Sequence, residues 1–380
     1  MEMLNLGIIP VKSWSTDIEE GALIQAQNLS NLTFAFKHIA IMADAHEGYG
    51  MPIGGVLACK GMIIPNAVGV DIGCGVIAVK TDIREIKKES IKIVIDKAYK
   101  SIPVGFKHHK NPQGWEGFKH FPGTKVFNQE FNSARCQIGT LGGGNHFCSI
   151  EKGSDGHIWL MIHSGSRNLG YKIANHYNEV AKKINEKTGL VPKSYDLAPL
   201  EIASEEGKEY FDAMNYCLEF ARANREMLFS AFYGIFQEVA SSTKILEKID
   251  IHHNYAAIET HYSEEVVLHR KGATSAGQHE LGIIPGSMGT PSYIVEGLGN
   301  PESFMSCSHG AGRVIGRKQA NRVFTEEMAN KAMEGIVFKD WKGDYSEAPM
   351  VYKDIEEVID NQKDLIKPLV KLSPLGVMKG

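Results

Sequence analysis

No stretch of this chain approaches the ~20 consecutive apolar residues of a membrane-spanning helix, so none is expected and no membrane partner is read. Positive charge is not in surplus. Lys and Arg number 41 against 45 for Asp and Glu, and the formal charge of −4 excludes a uniformly basic protein that coats nucleic acid. Any nucleic-acid partner must then be held by a local patch. Six cysteines, at positions 59, 74, 136, 148, 217 and 307, show no paired spacing. That excludes a disulfide framework and leads us to expect reduced thiols and a cytoplasmic location. The opening MEMLNLGIIPVKSW has no charged region leading into an apolar one, so no secretory signal is read. No G-x-x-x-x-G-K-[ST] occurs, which rules out a Walker-type nucleotide loop. Repeats, low-complexity tracts and marked linkers are missing too. A length of 380 residues would allow two or three domains at ~150 residues each, but nothing marks a boundary. The expectation is a single mixed α/β (α+β) unit over 1–380, with a mainly helical excursion at about 168–245.

What the chain has in quantity is glycine, 39 residues, and histidine, 15. Glycine gathers in 48–75, 139–144, 272–289 and 310–316 and is sparse over 176–265. It permits positive φ and close backbone approach, so the rich segments read as loops shaped around something. Between them, IIPNAVGVDIG, HIWLMIHSGS and EEVVLHRKG read as strands running into glycine turns. In the middle, Phe211, Met214, Leu218, Ala221, Leu228, Phe232, Ile235 and Val239 recur at helical steps. They predict one long core-packing helix, or two with a break, over roughly 205–242. Residues 168–187 and 311–335 also read as helices.

The run AVGVDIGCGV (67–76) sets Asp71 three residues before Cys74 among glycine and small aliphatics. A buried, unpaired carboxylate is costly or stays protonated, so a divalent metal is the natural neutraliser. Further ligand candidates stand where apolar runs meet glycine turns: His146 in LGGGNHF, His163 in LMIHSGSR, His252 and His253 in IHHNYA, and His309 in SCSHGAGR. Asp44 and His46 occupy another such turn, MADAHEGYGMPIGG. Asp71 and Cys74 with two to four of these histidines make a mixed O, S and N site in which the thiolate could bridge two ions. Such donors suit Zn, Mn, Fe or Co. The same loops suit anions. Ser164–Arg167, Pro285–Thr290 and His309–Arg313 combine backbone freedom with hydroxyls or arginine, and His309 is expected at the N-terminus of the helix read over 313–335.

VGVDIGCG, LGGGNHF, MIHSGSR, HHNYA, HRKGAT, PGSMGT, SHGAGR and the final LGVMKG, in this order, strongly resemble the RtcB-type RNA ligase family, over residues 38 to 380. The resemblance implies a distinctive α/β fold and a GTP- and Mn-dependent ligase that joins RNA 3′-phosphate or 2′,3′-cyclic phosphate ends to 5′-hydroxyl ends. It implies two manganese ions, one held by Asp71, Cys74 and His146 and the other by Cys74, His163 and His253. It makes His309 the nucleophile that accepts GMP. It also places Asn145, His146, Phe147, His253, Asn254, Pro285, Gly286, Ser287, Met288, Ser292, His309, Gly310, Ala311, Gly312 and Lys379 at GTP-contacting positions. An archease-like activating protein is a partner the resemblance allows, and a monomer is expected. One position departs from the pattern: Ser149 stands where the family commonly carries an acidic residue. An acidic contact to the guanine edge is therefore either absent or supplied by Glu151.

RNA itself needs a local patch. The segment FKHHKNPQGWEGFKHFPGTK (106–125) interleaves Lys107, Lys110, Lys119 and Lys125 with Phe106, Trp115, Phe118 and Phe121. It reads either as cations and rings for a single-stranded end or as a surface loop over a small satellite core. Arg313, Arg317 and Lys318 form a second candidate patch. Two rival readings remain: a metal-dependent phosphodiesterase or phosphatase acting on RNA ends, and a non-catalytic RNA-end-binding factor.

Overall fold

The architecture follows from how few strands carry an alternating pattern. The central strands Gly75–Thr81 and Ile158–Ser164 are buried at nearly every position, so each must be covered on both faces. A computed structural model describes all 380 residues and shows how this is done. An eight-stranded sheet runs in the order Ile245–His252, Gly75–Thr81, Ile158–Ser164, Phe147–Gly153, Ile366–Lys379, Ser292–Gly297, Leu281–Ile284, with Val337–Phe338 paired to the Ile366–Lys379 strand. A six-stranded sheet runs Glu2–Leu4, Val11–Ser13, Ala35–His46, Ile53–Cys59, Glu264–Lys271, Asn254–His261. The fold is mixed α/β, as read from the sequence. No helix is long and apolar enough to cross a membrane.

Two features of this layout position the site. Strand registers align Gly75 with Ser164, His163 with both Val76 and Phe147, and Phe147 with Lys379, so chemistry-bearing residues gather at one end of the larger sheet. The second feature is a crossing. The strand ending at His252 belongs to the larger sheet and the one starting at Asn254 to the smaller, which leaves His253 at the junction between them.

The long helix is a single element, Glu205–Gln237, with the Ser204 hydroxyl accepting from Gly207 N–H at 3.1 Å and two glutamates in its first turn. Its buried face carries Met214, Phe220, Ala221, Leu228, Phe232 and Ile235, with Tyr210 and Cys217 where the periodicity had favoured Phe211 and Leu218. Those two are only partly buried, and Val239 lies beyond the helix end. A second helix spans Arg167–Thr188.

Two expectations fail for local reasons, and a third point, left open by the sequence, is decided in part. The run read as a strand through 63–73 becomes a short helix, Pro65–Val68, followed by turns, because Pro65 starts a helical turn and Gly69 and Gly73 take positive φ. The helix expected over 311–335 is instead a loop followed by two short helices, Arg317–Val323 and Glu326–Ala332, the latter capped by Thr325. Gly312 has φ +74°, and a Cβ there would lie 2.1 Å from the Asp44 carbonyl oxygen, so the chain past His309 is locked in a non-helical path. His309 therefore does not sit at a helix N-terminus. Third, Trp115, Phe118 and Phe121 are not free rings. They pack edge-on with Phe127, Phe131, Tyr216 and Phe220, so the satellite-core reading holds for that half of the segment.

Phe232 is fully buried in the layer between the long helix and the larger sheet, whereas Phe106 is fully exposed. Phe232→Ala is expected to cost about 3–5 kcal/mol in urea unfolding, and Phe106→Ala to stay within about 0.5 kcal/mol of wild type.

Candidate active site

Asp71 and Cys74 share one turn, closed by Cys74 N–H donating to the Asp71 carbonyl at 3.1 Å. The turn is stitched to the sheet crossing. His253 N–H donates to the Cys74 carbonyl at 2.9 Å, Gly73 N–H to the Asn254 carbonyl at 2.9 Å, and the Asn254 amide to the Asp71 carbonyl at 3.1 Å. From the long helix, the fully buried Arg225 donates to the carbonyls of Gly73 at 3.0 Å and Ser164 at 3.2 Å and ion-pairs with Asp250 at 2.7 Å. Gly165 leaves room on the other side, since a Cβ there would lie 2.5 Å from an Asp71 oxygen.

Around this turn two ligand groups form, Asp71–Cys74–His146 and Cys74–His163–His253, each with its donor atoms within 4.8 Å of one another. Cys74 belongs to both. Its sulfur lies 3.4 Å from His146 Nε2 and 3.2 Å from His163 Nε2. His163 Nε2 lies 3.3 Å from His253 Nε2, and His146 Nε2 lies 3.4 Å from Asp71 Oδ2. Tautomers follow from the opposite ring edges. His146 Nδ1 donates to the Leu141 carbonyl at 2.9 Å and His163 Nδ1 to the Asn145 carbonyl at 3.1 Å, so both Nε2 atoms present lone pairs to the sulfur.

The electrostatics agree. Burial pushes the pKa of His163 and His253 well below the ordinary histidine value, leaving neutral rings ready to ligate. Burial and the charge of Asp71 push the Cys74 thiol well above its usual range, so a thiolate here needs a cation beside it. Burial opposes ionisation of Asp71 as well, but the polar neighbours His146 and Cys74 and the charge of Arg167 prevail and hold the carboxyl at about 2. Oxygen, nitrogen and sulfur donors converging on one space fit one or two divalent cations.

His309 stands beside this cluster, its ring centroid 4.8 Å from that of His253. Its orientation is set by Asp44, buried at the end of the Ala35–His46 strand. One Asp44 oxygen accepts from His309 Nδ1 at 2.6 Å and from the backbone N–H of His309 and Gly310, each at 3.2 Å. His309 Nε2 is thereby left as the free lone pair. The sequence reading had noted Asp44 at its turn without giving it this role.

Next to His309 opens a cleft. Asn145, Phe147, Pro285, Gly286, Ser287, Met288, Ser292, His309, Gly310, Ala311, Gly312 and Lys379 line it. His163 reaches it as well, whereas His146, His253 and Asn254 do not line it. The Asn254 side chain is committed to Asp71 and, through its oxygen, to Gly272 N–H at 2.8 Å. The cleft also holds Arg313, Arg317 and Tyr352, gathered on the buried Glu347. Glu347 lies 3.3 Å from Arg313, 2.9 Å from Arg317 and 3.3 Å from Lys379. Burial alone would raise this carboxyl, but Lys379 and the two arginines hold it at about 2. Burial lowers Lys379 to about 8 against the pull of Glu347. Lys318 does not line the cleft. Nothing in the sequence tied Glu347, 32 residues before Lys379, to this site.

On the Phe147–Gly153 strand, Phe147, Ser149 and Glu151 face the cleft together. Ser149 Oγ and Glu151 Oε2 are buried without partners, and burial raises the Glu151 carboxyl to about 8.

A mixed α/β fold with a sulfur-centred pair of candidate metal-ligating groups beside an oriented histidine and a cleft defines a candidate metal-assisted active site. Comparison with known proteins narrows it. The profile of the family described as tRNA-splicing ligase RtcB matches residues 25–120 and 115–380. The chain is 36% identical to RNA-splicing ligase RtcB of Escherichia coli (strain K12) over 100% of its own length and 99% of the relative's. It is 30% identical to tRNA-splicing ligase RtcB of Thermococcus kodakarensis, over 95% and 92%, and 31% identical to RNA-splicing ligase RtcB of Mycobacterium tuberculosis, over 94% and 100%. The chain belongs to the RtcB family, a family of enzymes.

Two outcomes are expected. Cys74→Ala removes the shared ligand, so manganese bound per chain, measured by elemental analysis after equilibrium dialysis, falls to near zero, whereas His309→Ala retains it. Full occupancy of one ion in Cys74→Ala would contradict the bridge. Glu151 ionises near 8 in the fold and near 4.5 unfolded, so wild type loses stability as pH rises between these values. Glu151→Gln is therefore expected to gain in urea midpoint over wild type progressively from about pH 5 to 8, and a pH-independent difference would show an ordinary carboxylate.

Proposed function

We propose that this protein is a GTP- and Mn-dependent RNA ligase that joins RNA 3′-phosphate or 2′,3′-cyclic phosphate ends to 5′-hydroxyl ends through guanylated His309. The observation that carries this reading is the place of His309, with its tautomer set by Asp44, between the sulfur-centred cluster and the cleft. The names of the relatives support it.

The residues divide the work by position. Asp71, Cys74 and His146 would hold one manganese ion, and Cys74, His163 and His253 the other. Bound there, the ions would neutralise charge building on the non-bridging oxygens of the phosphate under attack. His309 Nε2 attacks the α-phosphorus of GTP. The N–P bond forms, the bond from that phosphorus to the β-phosphate oxygen breaks, and pyrophosphate leaves. Positive charge on the imidazole during this step is stabilised by the Asp44 carboxylate at Nδ1. The RNA 3′-phosphate then takes GMP from His309, and the 5′-hydroxyl displaces GMP, releasing its proton to solvent. A cyclic phosphate is first opened by water to the 3′-phosphate. Arg313, Arg317 and Lys379 supply cations to the cleft, held in place by Glu347. Phe147 and Met288 offer apolar surface for a base. Glu151, one strand step beyond Ser149 on the same face, offers its carboxyl to the N–H edge of guanine, which adenine lacks.

Radiolabelled GTP and a nicked RNA with 3′-phosphate and 5′-hydroxyl ends test this. Wild type is expected to take acid-labile label and to seal the nick only with Mn and GTP present. His309→Ala takes none. Asp44→Asn, which places an amide against Nδ1, slows labelling by about 10²–10⁴-fold. Hydrolysis of the end phosphate without labelling would instead establish the phosphatase reading.

A further inference from the structure

The segment 106–125 is split by the fold. Trp115, Phe118 and Phe121 go into the aromatic cluster under the long helix, while Phe106 stays fully out, with more exposed surface than any other large apolar side chain of the chain. One exposed ring is unremarkable by itself. Its mounting is what matters. Gly105 N–H donates to the Gly142 carbonyl at 2.7 Å, Val104 bridges to Gly142, and Leu141 N–H donates to the Pro103 carbonyl at 3.0 Å. Farther along, His109 is anchored twice, by its N–H to the Cys136 carbonyl at 2.9 Å and its ring to the Gly139 carbonyl at 3.1 Å. The loop bearing Phe106 is therefore fixed on both sides to the glycine run that leads directly into Asn145 and His146. Gly143 and Gly144 are exposed, whereas Gly142 is buried, with the Arg167 guanidinium packed so closely against it that a Cβ there would lie 2.2 Å away. Lys107 and Lys110 follow the ring in the same loop, exposed and without an ion-pair partner, in contrast to Lys119, which pairs with Glu116.

We propose that Phe106 is a stacking platform for an unpaired base of the RNA strand, with Lys107 and Lys110 on its backbone phosphates and the bare Gly143–Gly144 surface as the path from that base to the metal cluster. The proposal rests on the ligase reading and adds a preference to it: single-stranded ends over blunt duplex ends. A ring that is free on its face and rigid at its base suits an unstacked nucleobase. Duplex RNA offers no such face, and its shallow groove is read through phosphates and 2′-hydroxyls instead. Charge complementarity favours RNA over an apolar protein segment, since two exposed, unpaired lysines follow the ring within four residues.

The test uses fluorescence anisotropy of metal-loaded, full-length protein with a labelled single strand of about ten nucleotides ending in a 3′-phosphate. Phe106→Ala is expected to weaken binding about tenfold, and Phe106→Tyr to restore it to within about twofold. Lys107→Ala with Lys110→Ala lowers the slope of log affinity against log salt by about 1.4. A blunt hairpin with the same end is expected to bind all variants alike, and GTP labelling to be unchanged throughout. Wild-type affinity of Phe106→Ala for the single strand would overturn the proposal and leave the ring to a protein partner. Absence of GTP labelling in wild type would defeat the ligase reading, while the anisotropy comparison still judges the platform.

Discussion

Unshared electron pairs crowded into a dry space are the constraint around which this protein is organised. His146 and His163 spend their ring protons on backbone carbonyls, and both turn bare nitrogens toward the same sulfur. An apolar filling of the space would not answer five such donors. Only positive charge does, and the surrounding fold accordingly invests in holding the donors still. Arg225 is the clearest case. This fully buried guanidinium binds carbonyls of two of the segments that carry the ligands and is itself balanced by Asp250. Removing one member of such a buried pair leaves an uncompensated charge, so the loops and the helix beneath them stand or fall together.

The second half of the site uses the same device with opposite sign. Glu347 is a buried carboxylate that gathers Arg313, Arg317 and Lys379 from separate parts of the chain. Between the two halves stands His309, whose only firm tie is to Asp44. The arrangement separates duties: one region concentrates cationic charge through donors, the other through side chains, and the imidazole faces both.

The chemistry was legible in the sequence to a greater degree than the geometry. Asp71, Cys74, His146, His163 and His253 were recognisable because short glycine-bounded motifs keep ligand and turn adjacent along the chain. The cleft lining from Pro285 to Ser292 and from His309 to Gly312 was recognisable for the same reason. What could not be read was long-range. Arg225 sits on a helix whose periodicity announces only packing, and Glu347 lies in a stretch without a pattern. The Asp44–His309 bond joins residues 265 positions apart. Two local misreadings have a shared cause. At Pro65–Val68 and past His309, β-branched or helical periodicity was overruled by glycines whose backbone angles no other residue adopts readily. The aromatic segment divided because Tyr216 and Phe220, distant in sequence, offered three of its rings a core and left the fourth none.

His253 belongs to neither sheet and touches both, since the chain leaves one ladder at His252 and joins the other at Asn254. A ligand that grips this imidazole together with Cys74 thereby clasps the two halves of the molecule at their only shared seam of consecutive strand. A cation bound there would couple loading of the site to the stability of this junction. The ion is then a rivet in the architecture as much as a reagent.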